Sequence, residues 1–350
     1  MCSSDLETFR KGNQIITEIN FSALEDQYTE KGNIKNSIDF LFECLNNPNI
    51  KNDAFDKESF TTLQSLAKTY LKNQKESPLY QGYQEFKKMI GDSHFLGSIR
   101  GTKKAIDSVT PRKLYDYYKT FFKNNHIDIF VLGNIEDDII NEIDKHINLE
   151  KNNLPYRNVT LEYQKEFSEK EKKSKFNQSL LFMGSSIKKL SVFERKYPVL
   201  LYNIILGNSP ASKLFTNVRE KKSYAYSINS SINRLDGLFL IEAGISSKNF
   251  TDTKLEVYKQ LNLMKEGKFS LSSLKSAKEM MLSSIKSVND SAWSIINYHF
   301  NNKYFNIDDI EIQKEYIQKI TKEDIVKVAN KINIDTIFLL KEDQNEKNKN

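Results

Sequence analysis

The sequence predicts an α+β protein of two homologous half-domains, each an antiparallel-rich sheet covered by helices. The length is the first reason, because 350 residues exceed what one ordinary hydrophobic core organises. The composition is the second, since 39% hydrophobic residues are enough for packed cores and argue against global disorder. The third is a repeat, because strand-like and helix-like spacings follow one another in the same order in both halves.

The first half is predicted to begin with a strand at residues 15–21, where apolar residues alternate. Thr110 and Pro111 are typical of a helix start, with a capping hydroxyl followed by proline at the first helical position. The apolar run 126–132 predicts a buried strand, which Gly133 ends. Amphipathic spacing predicts helices at residues 36–45, 55–72, 77–89 and 110–122.

The second half repeats this order. Strands are predicted at 238–245 and 336–340, and helices at 251–264, 269–287, 292–300 and 320–332. The helix 55–72 has an apolar stripe made of Phe55, Leu63, Leu66, Ala67 and Leu71. When the two halves are laid on each other, Phe55 aligns with Phe269, Phe60 with Leu274, Leu66 with Met280 and Leu71 with Ile285.

These patterns set the expected domain boundaries. We expect residues 1–151 to form an N-terminal half-domain that is incomplete at its start, and residues 176–342 to form a C-terminal half-domain. Residues 152–175 are polar and charged and contain Pro155, which is typical of a linker. Residues 343–350 are expected to be a disordered tail.

Charge and cysteine content argue against several classes of protein. The net charge of +6 arises from 52 basic and 46 acidic residues, and lysine runs interleaved with glutamate favour a solvated surface over a nucleic-acid patch. Cys2 and Cys44 form no C-x-x-C pair and suit a reducing compartment. No secretory apolar region occurs in residues 1–12 and no apolar run is long enough for a bilayer, so we expect a cytoplasmic protein without a membrane span.

Residues 209–245 carry the densest pattern in the chain. Apolar residues at helical spacing come first. The spacing then changes to alternation, which predicts a strand, and a returning strand follows the turn signal Asp236-Gly237. The stretch is therefore predicted to be a helix followed by a β-hairpin, with Arg219 at the helix end and Tyr226 in the first strand.

This stretch resembles the C-terminal half-domain of the insulinase/pitrilysin/mitochondrial processing peptidase family, the inverzincins. A Gly/Ser loop, Ser-x-Leu-Phe, Arg-Glu-Lys, Ala-Tyr and a strand after a glycine follow in the family's order and spacing. The resemblance implies a duplicated α+β half-domain of the metalloendopeptidase-like, LuxS/insulinase type, covering most of the chain. The matching residues are Gly207, Ser209, Ser212, Leu214, Phe215, Arg219, Glu220, Lys221, Ala225, Tyr226 and Gly237.

The family's zinc site has no counterpart in this sequence. Family half-domains open with roughly 70 further residues that hold a His-x-x-Glu-His helix, whose two His bind zinc and whose Glu is the general base. No such motif occurs here in either direction, and the four histidines are scattered. The family's third ligand is a glutamate seven residues after the position that Glu58 matches. Ser65 stands there, and its neutral hydroxyl is a poor zinc ligand, so we expect no metal on this chain.

The resemblance also implies a function. In family members that work as two chains, an Arg–Tyr pair on one chain reaches toward the zinc of the other. Arg219, Tyr226 and Ser212 are therefore expected to bind peptide, with no catalytic residue here and with zinc only on a homologous partner chain. The expected function is a catalytically inactive, peptide-gripping subunit of a heterodimeric zinc peptidase. The chain is similar to the degenerate YmfF-like and AlbE-like chains of Bacillota. Such chains are sometimes linked to elongation factor P modification, but no residue of this sequence tests that link.

Three other interpretations stay open at this point. The chain is a fragment of an active zinc metalloendopeptidase, which would bind zinc when complete. Alternatively, it is a structural family member without a peptidase role. A nucleic-acid binder rests on charge alone, since neither an RRM-type motif nor a zinc finger occurs. Taken singly, Arg219, Tyr226, Glu58 and Ser65 also fit ordinary structural or surface roles.

Overall fold

The computed structural model describes residues 3–12, 14–90, 99–135, 137–146 and 166–343. The chain divides into two compact units, one of residues 1–74 and 98–159 and the other of residues 75–97 and 160–350. Both units contain helices and sheets, which confirms the predicted α+β class. The sequence analysis placed residues 75–90 in the first half-domain, whereas their contacts group them with the second unit. None of the helices in the described ranges is long and apolar enough to cross a membrane.

The first unit contains an antiparallel hairpin and several helices. Strand β1 pairs with β2 from Ser3 opposite Ser22 to Lys11 opposite Gln14, and Gly12 in the turn has a φ of 60°. Thr110 caps its helix by accepting a hydrogen bond from the Lys113 amide, as predicted. The elements are β1 Ser3–Lys11, β2 Gln14–Ser22, α1 Asn33–Asn46, β3 Ile50–Lys51, β4 Ala54–Phe55, α2 Lys57–Glu76, α4 Lys103–Ser108, α5 Pro111–Asn124 and α6 Asp137–His146.

One prediction for the first unit is wrong. The run 126–132 is not a strand, and its apolar residues Ile127, Ile129, Val131 and Leu132 are exposed. An apolar run becomes a strand only where a neighbouring strand accepts its backbone hydrogen bonds, and none does so among the described residues.

The apolar stripe of α2 is only partly buried. Leu63 and Leu66 are 64% and 59% exposed, and Leu71 is the buried member of the stripe. Phe55, Phe60 and Leu63 line an open apolar depression of about 330 Å³ together with residues of α4 and α5. The spacing identified the helix correctly but not the burial of its face, because burial depends on a covering element that the spacing does not specify.

The second unit is built on a five-stranded sheet in the order β5-β9-β6-β8-β7. Strands β5 and β9 run parallel, and the other neighbours run antiparallel. Strand β5, Ser168–Ser174, occupies the last part of the predicted linker. Residues 147–165 and most of the predicted tail lie outside the described ranges. The elements are α3 Pro78–Ile90, β5 Ser168–Ser174, β6 Ser179–Ser186, α7 Val192–Lys196, α8 Pro198–Leu206, β7 Ala225–Asn233, β8 Leu238–Ile245, α9 Phe250–Lys265, α10 Leu271–Lys286, α11 Ala292–Phe305, α12 Ile310–Lys319, α13 Lys322–Lys331 and β9 Thr336–Glu342.

The sheet of the second unit is covered differently on its two faces. Helices α8, α9, α10 and α13 cover one face and enclose the larger apolar core. Helix α3 packs on the other face, where Phe86 contacts Phe182 and Phe338 lies beside it. The two packed surfaces interlock through two glycines, because Gly82 lies against the Phe182 ring and Gly184 against the Phe86 ring.

Candidate functional site

A π-helix at Phe215–Glu220 precedes the edge strand β7. The Lys221 amide donates to the carbonyl oxygen of Thr216, five residues back, over 3.0 Å. Leu214 and Val218 are fully buried in the larger core and anchor this turn. The wider turn changes the direction of the side chains that follow, and such π-turns are frequent at functional sites.

Arg219 lies on this π-helix with its side chain 42% exposed. Its guanidinium lies over the Phe215 ring, with Cζ 4.6 Å from the ring centroid. Its Nη1 lies 3.9 Å from a carboxylate oxygen of Glu220, too far for a hydrogen bond. The ring contact orients the guanidinium without occupying the planar N–H donors, which suit carboxylates and peptide carbonyls.

Tyr226 is brought to the surface by a β-bulge in β7. Ala225 pairs with Ile245 and Ser227 pairs with Gly244, so Tyr226 is the extra residue on the bulged strand. Its side chain is 66% exposed, whereas Ala225 is buried. A bulge turns a side chain away from the regular alternation and is common next to active sites.

Hydrogen bonds and one ion pair fix the conformation of the segment that joins Arg219 to Tyr226. Ser223 has a φ of 52°, and its amide donates to the Arg219 carbonyl over 3.0 Å. The Tyr224 carbonyl accepts hydrogen bonds from the side chains of Asn249 and Thr253. Lys222 pairs with the buried carboxylate of Glu256 at 2.6 Å, and this pairing holds the pKa of Glu256 below its usual range although burial opposes it.

Ser212 occupies a different environment from the other two predicted peptide contacts. It is buried, and its hydroxyl accepts a hydrogen bond from the Phe215 amide at 3.4 Å. Its carbonyl accepts from the Thr216 amide at 2.9 Å, so the residue caps the turn that leads to Arg219. The structure therefore presents Arg219 and Tyr226 on the surface and keeps Ser212 inside.

Replacing Ser212 with alanine is expected to lower the free energy of unfolding by about 1 kcal/mol, the usual cost of a lost capping hydroxyl. Urea unfolding measures this loss, and peptide binding by the folded variant should match that of the parent chain. A loss of binding without a loss of stability would instead make Ser212 a direct contact.

The predicted metal positions offer no zinc donor set. Glu58 and Ser65 are both exposed on α2. Glu58 lies in the first helical turn, where Asp56 caps the helix by accepting from the Ser59 amide, so an acidic side chain there suits the helix dipole. Ser65 brings only a neutral hydroxyl, and zinc is therefore not accommodated at this position.

The three histidines in the described ranges do not converge on that position. His126 lies 3.3 Å from Asp128, His146 lies 2.7 Å from Asp39, and His299 contacts the Tyr298 ring. His94 lies outside the described residues. Each histidine in the described ranges therefore has a different partner, and no two of them contact the same group.

In the part of the chain that the structure describes, one group of three potential ligands lies close together: Asp39, Glu142 and His146. They lie on α1 and α6, away from the predicted metal position on α2. The Lys35 ammonium already lies 2.6 Å from Asp39 and 3.3 Å from Glu142. Its hydrogen bond lowers the pKa of the Asp39 carboxyl, whereas the pKa of Glu142 is lowered mainly by the hydrogen bond from Lys145 and further by that from Lys35. These contacts form an ionic link between two helices.

Glu242 on β8 is a residue that the sequence analysis did not single out. It is half-buried, lies opposite Asn229 of β7, and burial raises the pKa of its carboxyl. One charge inside the apolar strand Leu238–Ile245 is the signal that would have identified it.

Comparisons with known proteins agree with this fold. A profile described as the peptidase M16 inactive domain matches residues 108–281. The probable inactive metalloprotease YmfF of Bacillus subtilis (strain 168) is 26% identical over 317 residues, covering 88% of this chain and 73% of that protein. The uncharacterized zinc protease YmxG of the same strain is 26% identical over 236 residues, covering 66% of this chain and 57% of that protein.

Solved structures show the same architecture. A conserved protein from Enterococcus faecalis V583 superposes with a TM-score of 0.86 at 24% identity, covering 98% of this chain and 82% of that one. The peptidase M16 inactive domain from Pseudomonas fluorescens superposes with a TM-score of 0.76 at 17% identity, covering 97% and 81%. These structures establish the fold. The match to the inactive-domain profile and the similarity to YmfF and YmxG support a degenerate member of the peptidase M16 family.

Proposed function

We propose that this chain is a catalytically inactive subunit of a heterodimeric zinc peptidase, which uses Arg219 and Tyr226 to hold a peptide for a zinc-bearing partner. The observation that carries this proposal is the pairing of two backbone irregularities. A π-helix presents Arg219 and a β-bulge presents Tyr226, and both lie beside the edge strand of one sheet.

The exposed groups suit the chemistry of peptide hydrolysis. A guanidinium and a phenol are hydrogen-bond donors, and donors aimed at a scissile carbonyl stabilise the charge that develops on its oxygen. The guanidinium also orients peptide carbonyls and carboxylates. Neither task requires a metal on the chain that supplies the donors.

The strand that carries Tyr226 is a suitable surface for an extended peptide. β7 lies at the edge of the sheet, so one row of its backbone groups faces away from β8, although the Ser230 amide already donates to the Gly207 carbonyl at 3.3 Å. Extended peptides add to such edges through main-chain hydrogen bonds. The proposed location is the cytoplasm, because the two cysteines form no disulfide framework and suit a reducing compartment.

Mixing the chain with a zinc-bearing homologue from the same genome tests this proposal. We expect the mixture to cleave peptides that neither protein cleaves alone, with one zinc ion per heterodimer located on the homologue. Chromatography and metal analysis of the separated chains provide the assembly and the zinc content. Full activity of the homologue alone would contradict the proposal, as would zinc-dependent hydrolysis by this chain alone.

A further inference from the structure

Glu242 occupies an unusual position in the sheet of the second unit. It lies on the central part of β8, opposite Phe182 on one side and Asn229 on the other. Its nearest neighbours of the same parity, Leu240 and Gly244, are buried. A carboxylate in this position is costly unless a partner offsets its desolvation.

Glu242 lies on the face that α3 packs against. Leu240 belongs to the apolar cluster beneath α3, and side chains two residues apart on a strand share a face. Helix α3 packs mainly over β6 and β9. Glu242 therefore borders the covered area, and the β7 side of the same face is open, as the exposure of Asn229 and Ser231 indicates.

Tyr226 belongs to this open face. Ala225 and Ile245 both point into the core beneath the helices. Because neighbouring side chains on a strand alternate, Tyr226 points to the opposite face, and the bulge leaves Ser227 exposed beside it. The open face thus combines an exposed phenol with a half-buried carboxylate. The Gln178 side chain lies over Gly244 on this face, beside Ser227.

The described part of the chain provides no neutralising partner for the carboxylate of Glu242. Among the residues that the structure describes, no hydrogen bond or ion pair offsets its burial, and desolvation raises the pKa of its carboxyl. The buried carboxylate of Glu256, by contrast, accepts hydrogen bonds from Lys222 and Gln260. A glutamine in place of Glu242 would fill the same volume without the cost of desolvating a charge. Packing alone therefore does not explain why a glutamate occupies this position.

We propose that Glu242 is a specificity-determining residue that selects peptides with an arginine or lysine side chain. This inference rests on the proposed peptide-holding function. Strands lie about 4.8 Å apart, so a peptide added to the edge of β7 would lie about 10 Å from β8. Only long side chains bridge that gap, and Ser227, Asn229 and Ser231 are too short to obstruct them.

Charge and shape favour the same occupant. A cation placed beside Glu242 would supply the missing ion pair, and the desolvated position makes such a pair stronger than one on an open surface. The long apolar stem of arginine or lysine would lie across the small β7 side chains and beside the Tyr226 ring.

Matched peptides test the inference. Labelled extended peptides that differ only in one arginine, its neutral isostere citrulline, or a glutamate are titrated into the complex of this chain with its zinc-bearing partner, with the zinc removed to prevent cleavage. Fluorescence anisotropy gives the dissociation constants. We expect the arginine peptide to bind about tenfold more tightly than the citrulline peptide, the factor typical of a charge-assisted hydrogen bond.

Glu242→Gln is expected to abolish this tenfold preference while leaving citrulline-peptide binding unchanged. Glu279→Gln removes the same charge from an exposed site on α10 and should keep the preference. Equal binding of arginine and citrulline peptides by the parent complex, or a preference that survives Glu242→Gln, would overturn the inference while the proposed function stands. If no peptide binds, the proposed function fails, and the inference fails with it.

A stability measurement excludes a simple folding defect. A carboxyl whose pKa is raised on folding destabilises the folded state as the pH rises from its unfolded pKa through its folded pKa, because the folded state holds the proton more tightly. Glu242→Gln removes this burden and should raise the urea midpoint at neutral pH. A lower midpoint would show that Glu242 makes a structural contact and would contradict a role in selection.

Discussion

Replacing Gly184 with valine is expected to lower the free energy of unfolding of the second unit by about 3 kcal/mol, at the upper end of the usual cost of overpacking. A Cβ atom at this position would lie 2.3 Å from Cζ of Phe86. Phe86 is fully buried, with its ring centroid 6.0 Å from that of Phe182 and 6.4 Å from that of Tyr83. The ring therefore has nowhere to move unless α3 lifts from the sheet.

Strand propensity alone predicts that Gly184→Val raises the free energy of unfolding. Valine is favoured over glycine in strands by up to about 1 kcal/mol, so a strand considered alone would gain stability. The same conflict occurs at Gly82 on α3, where alanine would improve helix propensity by about 1 kcal/mol but would place Cβ 2.4 Å from Cε2 of Phe182. Substitution of either glycine is expected to destabilise the unit, because an aromatic ring of the opposite element packs directly against each glycine.

Chemical unfolding followed by the fluorescence of Trp293, the single tryptophan, measures both effects within the same unit. Lys88→Ala on the exposed side of α3 is the control and should change stability by no more than about 0.5 kcal/mol. Phe182→Leu should reduce the cost of Gly82→Ala, because it removes the ring that the new methyl group would meet. An unchanged midpoint for Gly184→Val would show that α3 does not pack here in solution.

The sequence predicted those elements whose signals are local. Apolar spacing located α1, α2, α9 and α13 within a few residues, and Thr110 and Thr321 cap helices as their hydroxyls indicate. The turn signal at Gly237, which has a φ of 68°, correctly joined β7 to β8.

Elements that depend on distant partners were missed. β5 has the sequence Ser-Glu-Lys-Glu-Lys-Lys-Ser and becomes a strand because it pairs with the buried strand β9. β1 has few apolar residues and is held by its hairpin partner. The run 126–132 shows the reverse, since apolar spacing without a pairing strand does not form a strand.

The candidate site divides in the same way. The family motif identified Arg219 and Tyr226. It did not identify the π-helix or the β-bulge, because each arises where one extra residue is inserted into a regular helix or strand, and no residue type marks that insertion. Ser212 matched the motif as well, and only its burial shows that it supports the turn. Glu242 required the sheet register, which places its carboxylate beside the open β7 face.

In the proposed heterodimer, Arg219→Ala is expected to lower kcat/KM for peptide cleavage by about 100-fold, the lower end of the range for removal of one oxyanion donor. Tyr226→Phe, which removes only the phenol hydroxyl, should lower it by about tenfold, the value of one ordinary hydrogen bond. Because both side chains lie at the surface, the urea midpoint should change little.

The division of this loss between kcat and KM identifies the role of each side chain. If Arg219 contacts the scissile carbonyl, kcat falls and KM changes little, because the interaction strengthens only in the transition state. If it holds the peptide elsewhere, KM rises instead. Lys221→Ala removes the same charge from the neighbouring exposed position and should leave both constants unchanged. Full activity of the Arg219→Ala, Tyr226→Phe double variant, with assembly and zinc content intact, would make the chain a scaffold, because a chain that holds peptide through these donors must lose activity with them.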